Sequence, residues 1–372
     1  MTERIIVKIG SSSLTSDEGG LNRERIAFFS HEIAGLHRAG HQVLLVTSGA
    51  VAAGFRRIGY QSRPKLIHEK QAAAAVGQAL LMQAYQEAFA SYGPDKGGIG
   101  VAQILLTRAD FSNRKRISNA LMTIEELLQQ RIVPIINEND TVSTDELKFS
   151  DNDMLSALVA NLAKAKHLLI LTDTDGLYTD DPRFNPDAKR IDRVEQISEE
   201  IMRFAGDSGS SVGTGGMRSK IEAARMAMRG GVPAFIGRVQ EPGDMALAIE
   251  GTGKGTYFDT SLHNLPMKKQ WVGFHSQPKG KIVIDDGAES ALLQRGKSLL
   301  PVGVRAIEGD FHPGDVVEVV NLQQQTLGRG VVNYSAWEVQ AVAGLSTSEV
   351  RRRVEVNRIE VIHRDEWVSL KV

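Results

Sequence analysis

Through residues 1–260, short apolar runs alternate with longer segments whose apolar positions recur at helical spacing. A short apolar run predicts a buried strand, and the helical spacing predicts an amphipathic helix. Strands are predicted at residues 5–9, 42–47, within 97–107, 132–136, 168–172 and, as the last one, 232–236. Helices are predicted at residues 22–39, 66–92, 113–131, 152–165 and 217–229. Such alternation indicates an α/β domain with a mostly parallel sheet that helices cover on both faces.

The pattern changes near residue 260. Gly, Pro and Asp turns separate short predicted strands at residues 281–285, 302–307, 315–320, 328–334 and 354–362, and one helix is predicted at 288–293. This pattern predicts a small, mostly-β, barrel-like module. The predicted division is an α/β domain at 1–260, a linker at 261–276, the β module at 277–355 and a C-terminal tail at 356–372.

Small, polar or acidic residues follow four of the predicted strands. They are Lys8-Ile9-Gly10-Ser11, Thr47-Ser48-Gly49-Ala50, Asn137-Glu138-Asn139-Asp140 and Thr172-Asp173-Thr174-Asp175. Ligands of open parallel sheets bind beyond the carboxyl ends of the strands. Turns favour these residue types in any case, but four such turns in succession indicate one shared site.

Two of these segments have the chemistry of phosphate binding. Lys8 lies inside an apolar strand, where an anion would offset the cost of burying it, and a Gly/Ser turn follows it. A second glycine-rich segment, residues 206–216, leads into the predicted helix that carries Lys220. The alternatives are a strand lysine that reaches solvent and an ordinary surface loop. The chain has no Walker A spacing and no Gly-x-Gly-x-x-Gly fingerprint.

Two further segments have the chemistry of acceptor or metal binding. Residues 138–153 hold the six carboxylates of Glu138, Asp140, Asp145, Glu146, Asp151 and Asp153. They indicate Mg²⁺ coordination or recognition of an amino group, and the alternative is a solvated acidic loop. Ser48-Gly49-Ala50 opens a helix and could hold a carboxylate or phosphate, or Ser48 could simply cap that helix.

Composition narrows the function classes. The chain has 42% hydrophobic and 24% charged residues, a net charge of −1 and no cysteine, which excludes disulfides and thiolate chemistry. We expect a soluble, cytoplasmic protein, since no signal peptide or membrane-spanning run is present. The nine histidines lack metal-ligand spacing, and no Gly-x-Ser-x-Gly elbow occurs. Two lysines, two Gly/Ser segments and nearby carboxylates indicate phosphoryl transfer without a covalent nucleophile.

These motifs resemble the amino acid kinase family. The resemblance rests on the four strand-end segments, on Ser150-Asp151-Asn152-Asp153, on Leu171 to Tyr178 with Asp181-Pro182-Arg183, and on Gly213-Thr214-Gly215-Gly216-Met217. It covers residues 4–260 and implies a three-layer αβα sandwich. Residues 277–355 resemble the PUA domain, an RNA-binding fold that many bacterial members of this family carry.

The resemblance also implies an activity, namely ATP-dependent phosphorylation of the γ-carboxylate of L-glutamate, the first step of proline biosynthesis. Lys8 and Lys220 would neutralise the transferring group, and Asp153 would orient both lysines. Glutamate would be held by Ser48, Gly49, Asp140 and Asn152. ATP would be held by Lys8, Gly10, Ser11, Thr172, Asp173, Thr214, Gly215, Gly216, Met217, Arg218, Ser219 and Lys220. Mg²⁺ is expected, with no protein ligand assigned to it.

Further expectations concern partners. The resemblance implies inhibition by proline, a homodimer or homotetramer, and delivery of the labile product to a γ-glutamyl phosphate reductase. RNA binding is not expected, because residues 277–355 hold nine Lys/Arg against ten Asp/Glu. The alternatives are a family member that phosphorylates aspartate, acetylglutamate or carbamate, and a ligand sensor whose C-terminal module binds RNA.

Overall fold

A computed structural model describes residues 2–16, 20–92, 98–143, 152–205, 216–260, 269, 272–273, 276, 278–353 and 358–370. The chain divides into two compact units. The first comprises Met1–Asp110 and Lys115–Asn264, and the second comprises Phe111–Arg114 and Leu265–Val372. No helix in the described ranges has both the length and the apolar character needed to cross a lipid bilayer.

The first unit is built on an eight-stranded sheet of order β3-β4-β2-β1-β5-β9-β10-β8. The strands of this unit are β1 Arg4–Ile9, β2 Gln42–Thr47, β3 Val101–Leu106, β4 Val133–Glu138, β5 His167–Leu171, β6 Leu177–Tyr178, β7 Arg190–Ile191, β8 Arg193–Val194, β9 Ala234–Gly237 and β10 Gly255–Phe258. Every pairing in the sheet is parallel except that of β9 with β10. Strands β6 and β7 form a separate antiparallel pair.

Two helical layers cover this sheet. The helices are α1 Ser11–Leu14, α2 Arg23–Arg38, α3 Ala50–Gly54, α4 Ile67–Phe89, α5 Arg108–Ser112, α6 Arg114–Gln129, α7 Asn152–Leu162, α8 Glu199–Phe204, α9 Met217–Arg229 and α10 Asp244–Glu250. Ile5, Val7 and Ile9 of β1 share a core with α2, α4 and α10. Because side chains alternate along a strand, Lys8 faces the other layer, where α7 lies. The predicted three-layer sandwich is confirmed.

The first unit differs from the prediction in three elements. The predicted helix at 113–131 is α6, but a short helix that was not predicted, α5, precedes it, and β4 continues through Asn137 and Glu138 instead of ending before them. Residues 232–236 are not the last strand, because β10 follows and pairs with β9 in the antiparallel direction. This strand has only four residues, Gly-Thr-Tyr-Phe, which are too few for a periodic signal.

The second unit contains a five-stranded sheet of order β12-β11-β13-β14-β15. Its elements are β11 Gly280–Ile284, α11 Asp286–Leu293, β12 Val304–Gly309, β13 Val316–Val320, β14 Thr326–Val332, α12 Ala336–Val342, α13 Thr347–Arg353 and β15 Ile362–Ser369. It has its own apolar core, in which Phe311, Tyr334 and Trp367 are the largest side chains. The predicted small, mostly-β module is confirmed.

Two boundaries of the second unit were predicted wrongly. Residues 356–372 are not a tail, because β15 pairs with β14, and no strand occupies the described part of 354–362 before Ile362. Charged residues in the middle of β15 interrupt the apolar pattern from which a strand is predicted. Part of the predicted linker at 261–276 also belongs to this unit, since Val272 is buried against Val316 and Val368.

Candidate active site

Two lysines meet one carboxylate beside the carboxyl end of β1. Lys8 Nζ lies 2.5 Å from Asp153 Oδ1, and Lys220 Nζ lies 3.4 Å from Asp153 Oδ2. The three residues come from β1, the first turn of α7 and the first turn of α9. The structure therefore brings together the three residues predicted to be catalytic.

The trio is buried. Lys8 is 1% exposed, Asp153 0% and Lys220 8%, and the three side chains bring two positive charges against one negative charge. Burial by itself would raise the pKa of Asp153, but the charges of Lys8 and then Lys220, with hydrogen bonds from Lys8 and Ser219, lower it to about 2. Asp153 is therefore ionised at neutral pH, and two ammonium groups lie beside it.

Ser219 adds a hydrogen bond to the same carboxylate. Its Oγ donates to Asp153 Oδ2 at 2.8 Å and also lies 3.0 Å from the carbonyl oxygen of Gly216, which precedes α9. Helix α9 begins at Met217, as predicted. Thr214 and Gly215, predicted to bind ATP, lie outside the described residues.

Arg218 lies on a different face of α9 from Lys220, because two residues along a helix differ by about 200°. Its side chain lines a cavity of about 490 Å³ between α8 and α9, together with Met202, Arg203 and Arg225. Arg218 and Lys220, predicted as one set, thus occupy two sides of the start of α9.

The remaining predicted nucleotide residues follow β1 and β5, which are adjacent parallel strands. The turn after β1 is a helical one, since α1 begins at Ser11 directly after Gly10. A Cβ atom added to Gly10 would lie 3.5 Å from Lys8 Nζ, so this backbone is next to the lysine ammonium. Thr172 Oγ1 donates to Asp173 Oδ1 at 3.0 Å beyond the end of β5.

On the other side of Asp153, the preceding residue connects three segments. Asn152 Nδ2 lies 2.6 Å from the carbonyl oxygen of Thr47, 2.7 Å from Asn137 Oδ1 and 2.9 Å from Ser48 Oγ. Gly49 precedes α3 with a φ of 108°, a left-handed conformation that favours glycine. Ser48, Gly49 and Asn152 are therefore brought together.

Asp140 lies in the turn that follows β4, and this turn contacts the start of α4. Gln71 Nε2 donates to the carbonyl oxygen of Ser143 at 3.1 Å, and Ser143 Oγ donates to Glu138 Oε1 at 2.6 Å. The described residues contain no cluster of three or more acidic or histidine side chains arranged to hold a metal ion.

The prediction missed two buried amides. Asn137 Nδ2 donates to Gln78 Oε1 at 2.8 Å, and Gln78 Nε2 donates to Gln103 Oε1 at 2.9 Å. The sequence pattern places Asn137 in a turn, whereas it lies in β4 and is 2% exposed. The available signal was a glutamine within the Ala-rich, largely apolar helix α4.

Comparison with known proteins defines the class. Residues 3–238 match the amino acid kinase family, and residues 280–354 match the PUA domain. The chain belongs to the amino acid kinase family, and its C-terminal module is a PUA domain. Its relatives include glutamate 5-kinase of Geobacillus kaustophilus (strain HTA426), which is 51% identical over 370 residues that cover 99% of this chain and 98% of the relative.

A second relative agrees with this class, and a solved structure agrees with the fold. Glutamate 5-kinase of Bacillus cereus (strain ATCC 10987 / NRS 248) is 50% identical over 369 residues, which cover 99% of each chain. Carbamate kinase of Giardia lamblia bound to AMP-PNP superposes with a TM-score of 0.50 at 15% identity, over 70% of this chain and 99% of that protein. The structural likeness bears on the fold alone.

Proposed function

We propose that this protein transfers the γ-phosphoryl group of ATP to the γ-carboxylate of L-glutamate and yields ADP and γ-glutamyl phosphate, as the first step of proline biosynthesis. The observation that carries the proposal is the buried pair Lys8 and Lys220 on one carboxylate, Asp153. The two glutamate 5-kinases at 51% and 50% identity over nearly the whole chain support this choice of acceptor.

The chemistry asks little of the protein beyond position and charge. A carboxylate is already ionised at neutral pH, so its oxygen attacks the γ-phosphorus without a general base, and the bond to the β–γ bridging oxygen breaks. Lys8 and Lys220 meet the charge that develops on the phosphoryl oxygens, and Asp153 holds both ammonium groups in place. Ser219 fixes the orientation of the Asp153 carboxylate.

Nucleotide and acceptor take opposite sides of Asp153. Gly10, Ser11 and the start of α9 hold the ATP phosphates, Thr172 and Asp173 contact the nucleotide, and Arg218 contributes through the cavity between α8 and α9. Ser48 and Gly49 meet a carboxylate of glutamate, and Asp140 and Asn152 meet its ammonium group. Mg²⁺ would neutralise phosphate charge when bound, and one or two carboxylates would suffice to hold it.

Regulation and partners follow the same proposal. Proline inhibits by occupying the acceptor side, the chain forms a homodimer or homotetramer, and a γ-glutamyl phosphate reductase consumes the labile acyl phosphate. The PUA domain has a structural or regulatory role, since its nine basic residues do not exceed its ten acidic ones over residues 277–355.

A coupled assay of ADP release tests the proposal. L-Glutamate should support ADP release, proline should suppress it, and aspartate, acetylglutamate and carbamate should support far less turnover. Release with another acceptor but not with glutamate would move the assignment to a sibling activity. If the protein showed no turnover but bound RNA at physiological salt, the alternative function, a ligand sensor whose C-terminal module binds RNA, would be favoured instead.

A further inference from the structure

A chain of amides runs from the exposed Gln103 through three buried amides to the acceptor side of the site. Gln103 on β3, Gln78 on α4, Asn137 on β4 and Asn152 on α7 are joined successively by hydrogen bonds of 2.9, 2.8 and 2.7 Å. Gln78 is 8% exposed, Asn137 2% and Asn152 8%. Four separate elements thus fix one line of amides.

Two backbone groups set the direction of this chain, so it does not depend on how the amide atoms are assigned. The backbone N–H of Glu138 donates to Asn137 at 2.8 Å, which makes the contacting atom of Asn137 its carbonyl oxygen. The backbone carbonyl of Thr47 accepts from Asn152 at 2.6 Å, which makes the contacting atom of Asn152 its NH₂ group. Both assignments agree with donation from Asn152 to Asn137.

The consequence falls on Asn152. An amide NH₂ group has two hydrogens, and those of Asn152 are directed to Thr47 and Asn137, with Ser48 Oγ as a further neighbour. What Asn152 offers to a ligand is therefore Oδ1, which only accepts hydrogen bonds. An oxygen that only accepts hydrogen bonds favours an ammonium group at this position and disfavours a carboxylate.

Helix α4 is held tightly where Gln78 enters this chain. A Cβ atom added to Gly77 would lie 1.8 Å from the carbonyl oxygen of Ala50 in α3, so the two backbones are in direct contact. Tyr85, two turns after Gln78 on the same face of α4, lies with its hydroxyl 2.9 Å from Thr47 Oγ1. These contacts leave Gln78 little freedom to move away from Asn137.

We infer that Gln78 and Asn137 are positioning residues that fix the amide of Asn152 with Oδ1 available to the α-ammonium group of the acceptor. The inference rests on the proposed function and adds the residues that determine recognition of that ammonium. Neither Gln78 nor Asn137 touches the acceptor in this scheme. Without the acceptor atom of Gln78, Asn137 Nδ2 loses its partner, and the Asn137 amide is free to turn and release Asn152.

The test compares L-glutamate with glutarate, which has the same two carboxylates and no ammonium group. Gln78→Met keeps the length of the side chain and removes its polar atoms. We expect kcat/KM for L-glutamate to fall about tenfold, through KM, with KM for ATP unchanged and kcat/KM for glutarate changed less than about twofold. The preference for L-glutamate over glutarate then narrows by roughly the same tenfold factor.

Two matched variants accompany Gln78→Met. Gln78→Glu retains the oxygen that accepts from Asn137, and the amide of the exposed Gln103 can turn to donate to the second carboxylate oxygen. The preference for L-glutamate over glutarate should therefore return to within about threefold of wild type. Gln83→Met, at an exposed position of the same helix, should leave all constants unchanged. If the Gln78→Met chain does not fold, Gln103→Met takes its place, with the same direction and a smaller effect.

The outcomes separate this inference from the proposed function. Wild-type protein that fails to phosphorylate L-glutamate contradicts the proposed function and this inference together. Normal wild-type turnover, with a Gln78→Met variant whose preference for L-glutamate over glutarate is unaltered, overturns the inference alone. Equal losses with both acceptors and with ATP would also overturn it, because they would indicate a general structural role for Gln78.

Discussion

Asp153 is the residue on which both halves of the proposed site depend. Its carboxylate is fully buried, accepts from Ser219 and faces Lys8 and Lys220. Neighbouring Asn152 contacts Ser48 and Asn137, so under the proposed function consecutive residues of one helical turn would serve the phosphoryl group and the acceptor separately. A change at either residue should therefore affect a different kinetic constant.

Replacing Lys8 tests the phosphoryl side. Lys8→Ala should lower kcat by about a hundredfold or more, because the lysine charge counts most in the transition state, while ATP still binds. Steady-state kinetics together with calorimetric titration of ATP measure both effects. A variant whose kcat holds and whose KM alone rises would make Lys8 a ground-state anchor.

The pH dependence of stability tests Asp153. Its pKa is lowered from 3.8 to about 2, so its contribution is present above pH 3.8 and is lost as the pH falls towards 2. That contribution is about 2 kcal/mol at neutral pH, and roughly half of it is gone near pH 3. Urea unfolding of wild type and Asp153→Asn should therefore show a gap that narrows between pH 6 and pH 3.

The exposed Asp187 supplies the control for this titration. Asp187→Asn should unfold at the same urea concentration as wild type at each pH, since this side chain has no buried lysine to hold. A gap between wild type and Asp153→Asn that stays constant over the same pH range would contradict the ion-pair account.

At the scale of elements, α4 supports the acceptor side by direct backbone contact. A Cβ atom on Gly77 would meet the Ala50 carbonyl at 1.8 Å and the Gly54 nitrogen at 2.6 Å, and neither backbone atom can yield. Gly77→Ala should therefore destabilise the protein by about 1–3 kcal/mol and raise KM for the acceptor, because α3 begins beside Ser48 and Gly49. Thermal unfolding and kinetics measure the two effects.

Gly35 provides the opposite case in another helix. A Cβ atom there meets nothing within 4 Å, and α2 is regular at this position. Gly35→Ala should stabilise the protein by about 0.5–1 kcal/mol, because alanine loses less conformational entropy in a helix. If Gly77→Ala behaved like Gly35→Ala, the close contact of α3 with α4 would not matter to the fold.

The elements also differ in how far the sequence predicts them. Helix α9 and the buried strands can be predicted from the sequence, because their periodicity is strong and their ends carry glycine or polar residues. Strand β15 cannot be predicted in this way, since His363, Arg364, Asp365 and Glu366 interrupt its apolar pattern. The contacts of Gln78 cannot be predicted either, because the local pattern does not reveal which distant strand a helix side chain will reach.

For the site, the strand-end rule had most of the predictive power. It predicts that Lys8, Ser48, Asp140 and Thr172 lie on one edge of the sheet. It could not pair Asp153 with both lysines or direct the amide of Asn137, since those depend on the packing of α7, α9 and α4. Local sequence predicts which residues gather, and tertiary packing determines their hydrogen bonds.

At the scale of the whole molecule, unfolding of the two units can be followed by two different signals, tryptophan fluorescence and enzymatic turnover. Trp337 and Trp367 lie in the second unit, and the proposed catalytic residues lie in the first. The fluorescence of these two tryptophans therefore follows unfolding of the PUA unit, and loss of turnover follows the kinase unit.

Trp367 and Trp337 make a matched pair for the PUA unit. Trp367 is 7% exposed in its core, and Trp337 is 67% exposed. Trp367→Ala should lower the free energy of unfolding of this unit by about 3–5 kcal/mol, as expected for a buried tryptophan. Trp337→Ala should leave it within about 0.5 kcal/mol of wild type.

Urea titrations followed by fluorescence measure both tryptophan variants. Equal effects of the two would contradict the assignment of residues 362–369 to the core sheet of this unit.

The central claim is that two lysines on one buried aspartate transfer a phosphoryl group to the carboxylate of glutamate. Trapping the product with hydroxylamine tests it most directly, because an acyl phosphate gives a hydroxamate and simple ATP hydrolysis does not. The account predicts one equivalent of γ-glutamyl hydroxamate for each ADP released by wild-type protein, and loss of both products in Lys8→Ala. ADP release from wild-type protein without hydroxamate would contradict it.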